Sequence, residues 1–266
     1  KTGYYQLAFK NLQPSNPGIA VGKRIMIDGE LLFSELDEVL FPTAKKWNIM
    51  TIGEDEGYWF YLTEGEHTLS FASTLSHLTP MMNQLYTIMD QINDIGLRVQ
   101  TITGGNPDDA LDWNLLKYLP NLTEDLLLFA DQCEAIYETI NALDTGMSSS
   151  PQTSTLLVAS KQLRRLARTP NKLGSRLMEF SEGSGSSYQL IGNAIGAMMN
   201  QPLSIDAFYF YNDVALPRPT GSFFVRLWHG IKAFFYSFFD TRYNQRDVGE
   251  NTLEVWVGQS SLYLDI

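Results

Sequence analysis

The sequence predicts an α+β fold: a β-sandwich interrupted by a helical-bundle insertion. Three observations carry that expectation. Apolar and polar residues alternate through the first 75 positions, apolar residues recur at helical spacing from about Ser76, and alternation returns in LSIDAFYFYN. A helical excursion that starts and ends in strands is the pattern of an insertion, so residues 1–75 and 201–213 are assigned to the sandwich and 76–200 to the bundle.

Within the first segment, YYQLAF, KRIMIDGE, YWFYL and HTLSFAS read as strands, separated by NPG, GEDEG and TEGE turns. Between them, LLFSELDEVLF places Leu32, Leu36, Val39 and Leu40 at helical spacing, which suits a short helix or a crossover. The first long helix carries Leu78, Met82, Leu85, Ile88, Met89, Ile92 and Ile95 up to Gly96. Three more helical patterns follow at 122–143, at 154–180 with a break at Thr169 and Pro170, and at 186–199, completing a four-helix bundle. Their spacing predicts one core containing Met82, Leu85, Met89, Ile92, Leu126, Phe129, Cys133, Ile136, Leu163 and Leu166. The joints TGGNPDDALDW, DTGMSSSPQTS and SEGSGSS are loops.

After the return strand, ALPRPTG breaks the chain. A connector at 214–250 then carries an amphipathic helix with Phe223, Leu227, Ile231, Phe234, Phe235 and Phe238 on one face. NTLEVWVG, in 251–266, reads as the first strand of a following domain. The run at 223–239 is too short for a comfortable membrane span and holds Arg226, His229 and Lys232, which are costly in a bilayer.

A hydrophobic fraction of 44% with 18% charged residues is that of a chain able to bury a core. The net charge of -11 repels a phosphate backbone, so nucleic acid is not an expected partner. The one cysteine, Cys133, sits among apolar residues in LLLFADQCEAIYETI and reads as a small buried hydrophobe; there is no disulfide framework.

Carboxylates are dense in the first segment: Asp28, Glu30, Glu35, Asp37, Glu54, Asp55, Glu56, Glu64 and Glu66. Most stand in turns beside glycine, and no spacing selects an acid and base pair, so no catalytic residue is assigned and the chain is not read as an enzyme. Turn oxygens of Asp28, Glu30 and Asp55, with Glu64 nearby, have the chemistry for a structural Ca²⁺, although solvated turns explain them better; no other cofactor is expected. His67, His77 and His229 stand far apart without zinc-site company, and GSGSS lacks the nucleophile-elbow pattern.

Trp47, Tyr58, Trp59 and Tyr61, with Glu64 close by, are the candidate carbohydrate-binding residues, because sugar rings lay their C–H faces on flat aromatic surfaces while acids and amides take the hydroxyls. Strand alternation turns Tyr58 and Phe60 to one face and Trp59 and Tyr61 to the other, so one of these pairs belongs to the core. Trp113, beside Asp108, Asp109 and Asp112, is either an exposed contact or a helix staple. Any sugar site is expected on the β lobe, around Trp47 and Trp59, because strands hold stacking rings in place.

The stretch NPGIAVGKRIMIDGELLFSELDEVLFPTAKKW, followed by FYLTEGEHTLSFAS, resembles the N-terminal module of very large extracellular solute-binding lipoproteins of Gram-positive bacteria. VALPRPTGSFF is similar to the connector of that family, and NTLEVWVG to the first strand of its solute-binding lobe. The resemblance implies a galactose-binding-like jelly roll with a helical insertion and a role in carbohydrate uptake by an ABC importer. It also implies a cell-surface position through a lipid anchor upstream of Lys1, with an oligosaccharide or polysaccharide and the ABC permease as partners. A structural module that spaces or docks the solute-binding lobe, and a glycan-active enzyme, remain the alternatives.

Overall fold

The structure is a computed structural model of the chain and describes residues 1–53, 57–105, 108, 110–144, 150–212 and 214–219. These fall in one compact unit, Lys1–Pro219. The expected connector helix, the expected strand NTLEVWVG and Asp55 lie outside the described residues.

The fold is α+β. The first segment forms β1 (Gly3–Gln13), β2 (Val21–Ile27), β3 (Val39–Phe41), β4 (Ala44–Thr51), β5 (Trp59–Leu62) and β6 (Leu69–Thr74); β7 (Ser204–Tyr211) returns after the helices. β1 is the hub of a four-stranded antiparallel sheet. Gln6 stands opposite both Trp59 and Tyr211, and Ala8 opposite both Thr51 and Tyr209. β4 and β5 therefore lie end to end along one side of β1, with β7 on the other. The second sheet has the order β3-β2-β6. β3 and β4 were not expected from the sequence, and LLFSELDEVLF resolves into one 3₁₀ turn, Ser34–Asp37, running into β3.

The two sheets bury a common core. Leu7 and Phe9 of β1, Val21, Ile25 and Ile27 of β2, Phe41 of β3 and Phe60 and Leu62 of β5 meet in it. Phe9, with no exposed surface, sets its ring edge-on to Phe41 at 5.9 Å and to Phe71 at 5.1 Å, joining the first sheet to both outer strands of the second. Burying a ring of this size is worth about 2–3 kcal/mol.

The insertion contains α1 (Thr79–Thr103), the short α2 (Leu115–Tyr118), α3 (Leu122–Leu143), α4 (Thr155–Ala167) and α5 (Ser187–Met199). A 3₁₀ stretch, Pro170–Arg176, and a π turn, Met178–Glu182, join α4 to α5. α1 runs past Gly96 to Thr103, where the expected joint TGGNPDDALDW begins, and ends at Gly104 in the left-handed conformation, φ 65°. Gly96 is there for close approach, since a β-carbon would lie 2.7 Å from Ser181 Oγ. The residues expected to share one core do so, Met89 from its margin. α3 packs on α4, α4 on α5 and α5 on α1, while α1 meets α3 less closely than it meets α5.

The lobes are joined by buried polar contacts and one apolar plug. Ile19, in the loop after β1, has no exposed surface and belongs to the bundle core. Asn16 Nδ2 donates to the Ala197 carbonyl at 2.8 Å and the Asn200 carbonyl at 2.9 Å, tying the same loop to the end of α5. Asp144, just past α3 and 2% exposed, accepts from the Thr43 backbone N–H at 2.9 Å and from the Thr43 hydroxyl at 2.5 Å. The Thr43 hydroxyl in turn accepts from the Gly18 N–H at 2.8 Å. Gly18 is required twice over: its φ is +83°, and a β-carbon would lie 2.5 Å from Ser150 at the approach to α4.

A candidate ligand-binding face on the sandwich

Residues directly opposite across an antiparallel pair point to the same side of the sheet. On β1 the odd positions Leu7 and Phe9 enter the core, so the even positions Tyr4, Gln6, Ala8 and Lys10 face outward. The register then assembles the outer face in rows. Tyr61 pairs with Tyr4; Trp59 and Tyr211 flank Gln6; Thr51 and Tyr209 flank Ala8; and Ile49 and Ala207 flank Lys10. Trp47, two residues from Ile49, lies beyond the last row on the same side, with Lys10 Nζ 5.5 Å from its ring centre.

Several of these rings are strongly exposed: Tyr4 at 61%, Tyr61 at 56% and Trp59 at 44%. Neighbours hold several groups on this face. Tyr4 and Tyr61 pack ring to ring with centres 5.2 Å apart. The Tyr211 hydroxyl is 2.9 Å from Thr51 Oγ1. Lys10 bonds Asp206 at 2.5 Å, and that carboxylate raises the lysine above its ordinary value, keeping it an ammonium beside Trp47. Rings on paired strands lose little conformational freedom when a ligand arrives.

Not every expected residue is on this face. Tyr58 is corrected to the core side: it packs on the sandwich core and stacks on Phe33 at 5.1 Å, because it shares its parity with Phe60, which is 1% exposed. Trp59 and Tyr61 point the opposite way, as strand alternation requires. Glu64 is exposed beyond the end of β5, where its N–H donates to Thr2 Oγ1 at 3.0 Å; it is not in the ring rows. Trp113 is half-buried against the bundle core, close to where a β-carbon on Gly174 would sit, which suits the staple reading.

The turn carboxylate Asp28 has structural partners. Its Oδ2 meets His67 Nδ1 at 2.6 Å and its Oδ1 accepts the Thr68 N–H at 2.8 Å, while His67 Nε2 faces the Thr63 carbonyl at 2.9 Å. The histidine bond lowers the Asp28 value and the same bond raises that of His67. Asp28 itself holds φ 53°, so the contacts lock a left-handed turn. Each of its oxygens thus accepts a hydrogen bond within the turn. Among the described residues no group of three or more His, Cys, Asp or Glu is placed to hold a metal ion.

Two grooves of about 410 Å³ flank α1 in the bundle. One, toward α3, is lined by Asp90, Asp94, Arg98 and Asp125 over Phe129. The other, toward α5, is lined by Met89, Glu182, Tyr188, Gln189 and Asn193. Cys133 is wholly buried and desolvation pushes its thiol up to about 12, so it is chemically quiet.

Tyr4, Tyr209 and Tyr211 are the functional candidates that sequence reasoning missed. Their signal was present in YYQLAFK and DAFYFY, where tyrosine holds the parity opposite to the core residues, but only the pairing of β1 with both β5 and β7 brings them to Trp59.

Among the described residues no helix is long and apolar enough to cross a membrane. No curated protein and no solved structure matched the chain in the comparisons made. Residues 80–198, from the first turn of α1 to the last turn of α5, match the family model described as bacterial solute-binding protein, 4-helix bundle domain, and that match supports a solute-binding-protein module.

Proposed function

We propose that this chain is a non-catalytic binding module of a carbohydrate ABC-importer solute-binding lipoprotein, and that it meets glycan on the outer face of the four-stranded sheet. The observation that carries this reading is the gathering of Tyr4, Trp59 and Tyr61, all exposed, on one face with Tyr209, Tyr211 and Trp47. Exposed rings standing side by side on strands, with Gln6, Thr51 and the Lys10–Asp206 pair among them, combine stacking surface with hydrogen-bonding groups, which is what a sugar ring requires. The family match of the bundle supports the solute-binding setting. The resemblance of the flanking sequence supports a position at the outer surface of a Gram-positive cell, held by an upstream lipid anchor near the ABC permease.

The test is calorimetric titration with a panel of neutral oligosaccharides. Binding that disappears in Trp59→Ala, with an unchanged melting curve, is the expected result; a panel without any binder rejects carbohydrate.

One observation favours docking as a second reading. Ile205 and Phe208 of β7 are 38% and 53% exposed, and Phe208, opposite Phe9, stands on the other side of the sheet from Trp59, so an exposed apolar surface is left there as well. If that surface serves the solute-binding lobe, the separately expressed lobe binds the chain and loses that binding in Phe208→Ser but not in Trp59→Ala.

A further inference from the structure

The arrangement of the rings bears on the shape of the ligand. Successive rows on the outer face are two residues apart along β1, so the stretch from the Tyr4–Tyr61 row to the Lys10 row covers about 20 Å at the rise of an extended strand. The two tryptophans stand toward its two ends, with the half-buried rings of Tyr209 and Tyr211 between them. One end has Trp59, Tyr61 and Tyr4; the other has Trp47, braced by Lys10 and Asp206. Between them stand mainly groups that donate or accept hydrogen bonds: the Gln6 amide, the Thr51 and Tyr211 hydroxyls and the Tyr209 hydroxyl. Ala8, at the centre of these rows, has no exposed surface of its own, so a ligand there lies on the side chains around it.

We infer that this face is a track for an extended, neutral polysaccharide chain lying along β1, gripped at both ends at once, and not a receptor for a single sugar. The inference rests on the carbohydrate reading above. A lone ring meets one stacking end and gains only a modest contact, whereas a chain long enough to reach both ends makes the second contact intramolecularly and gains its full effect. Neutral ligands fit best, because the one ammonium on the track is paired with Asp206 and a chain of net charge -11 repels a polyanion. The glycan lies open along its length, so interior stretches of a polymer bind as well as its ends.

The test is a chain-length series, from single sugars to polymer, of glucan, xylan and mannan types, titrated onto the whole chain and onto Trp47→Ala, Trp59→Ala and the double variant. Trp47→Phe and Trp59→Phe control for the fold and should keep binding. For the cognate series, affinity is expected to rise about a hundredfold once the chain spans both ends and then to level off. Either alanine variant should remove that rise and leave weak binding insensitive to length. Binding that depends on Trp59 alone and does not change with chain length overturns the track while leaving carbohydrate recognition at this face intact. Absence of binding in every series overturns both.

Discussion

The bundle and the sandwich dispose of their aromatic residues differently. In the bundle, Phe129 and Phe180 are buried, and the exposed rings Tyr86, Tyr118 and Tyr188 lie singly on α1, α2 and α5. In the sandwich, Phe9, Phe41 and Phe60 fill the core while Tyr4, Trp59 and Tyr61 are gathered on one outward face. Scattered exposed rings are ordinary surface, but adjacent rings in strand register form a surface with a shape. The contrast teaches that exposed rings are scattered on the helical lobe and gathered on the sheet, and it is sharpest on β5, where Phe60, 1% exposed, and Trp59, 44% exposed, are neighbours.

That contrast is open to attack by substitution. Phe60→Ala should cost about 3–5 kcal/mol in denaturant unfolding, as a ring removed from a closed core does. Trp59→Ala should cost less than about 1 kcal/mol in the same measurement, since its surface is already wet. Equal losses would erase the distinction between the faces.

The junction between the lobes should be nearly as sensitive. Asp144→Ala removes the acceptor for both the N–H and the hydroxyl of Thr43. A loss of about 2–3 kcal/mol is expected, with the single unfolding transition splitting in two as the lobes uncouple. Asn16→Ala, which gives up two bonds to the end of α5, should cost about 1–2 kcal/mol. A junction that tolerates both changes would mean that the lobes are held by Ile19 alone.

The smallest effect is the pH dependence of the Asp28–His67 lock. Asp28, lowered by its bond to His67, contributes stability above the ordinary carboxylate value of about 3.9 and loses it as pH falls through the lowered value. His67, raised by its bond to Asp28, contributes fully below about 6.5 and loses that contribution as pH rises through the raised value. The difference in stability between the native chain and His67→Ala should therefore be largest between about pH 4 and 6.5 and fade on either side. A difference constant with pH would remove the ion pair from the turn.

Much of this was legible in the sequence because both lobes obey local periodicity. Helical spacing marked the bundle core from Met82 to Leu166, including the break at Thr169 and Pro170, and strand alternation separated Trp59 and Tyr61 from Tyr58 and Phe60 before any contact was known. What was not legible depended on distant partners. The need for glycine at position 96 shows only once Ser181 is seen packed against it. Asp144 reads as a loop residue until Thr43, 101 positions away, closes on it. The face itself was half visible: Trp47 and Trp59 were marked, but Tyr4, Tyr209 and Tyr211 join them only through the register of β1 with its three partners.

The most direct measurement is the response of assigned indole N–H resonances to a neutral polysaccharide fragment. If the outer sheet face is the ligand surface, the Trp59 and Trp47 signals shift with the titration while that of Trp113, packed against the bundle, stays in place. A shift confined to Trp113, or movement of none of the three when the fragment is bound, would contradict it.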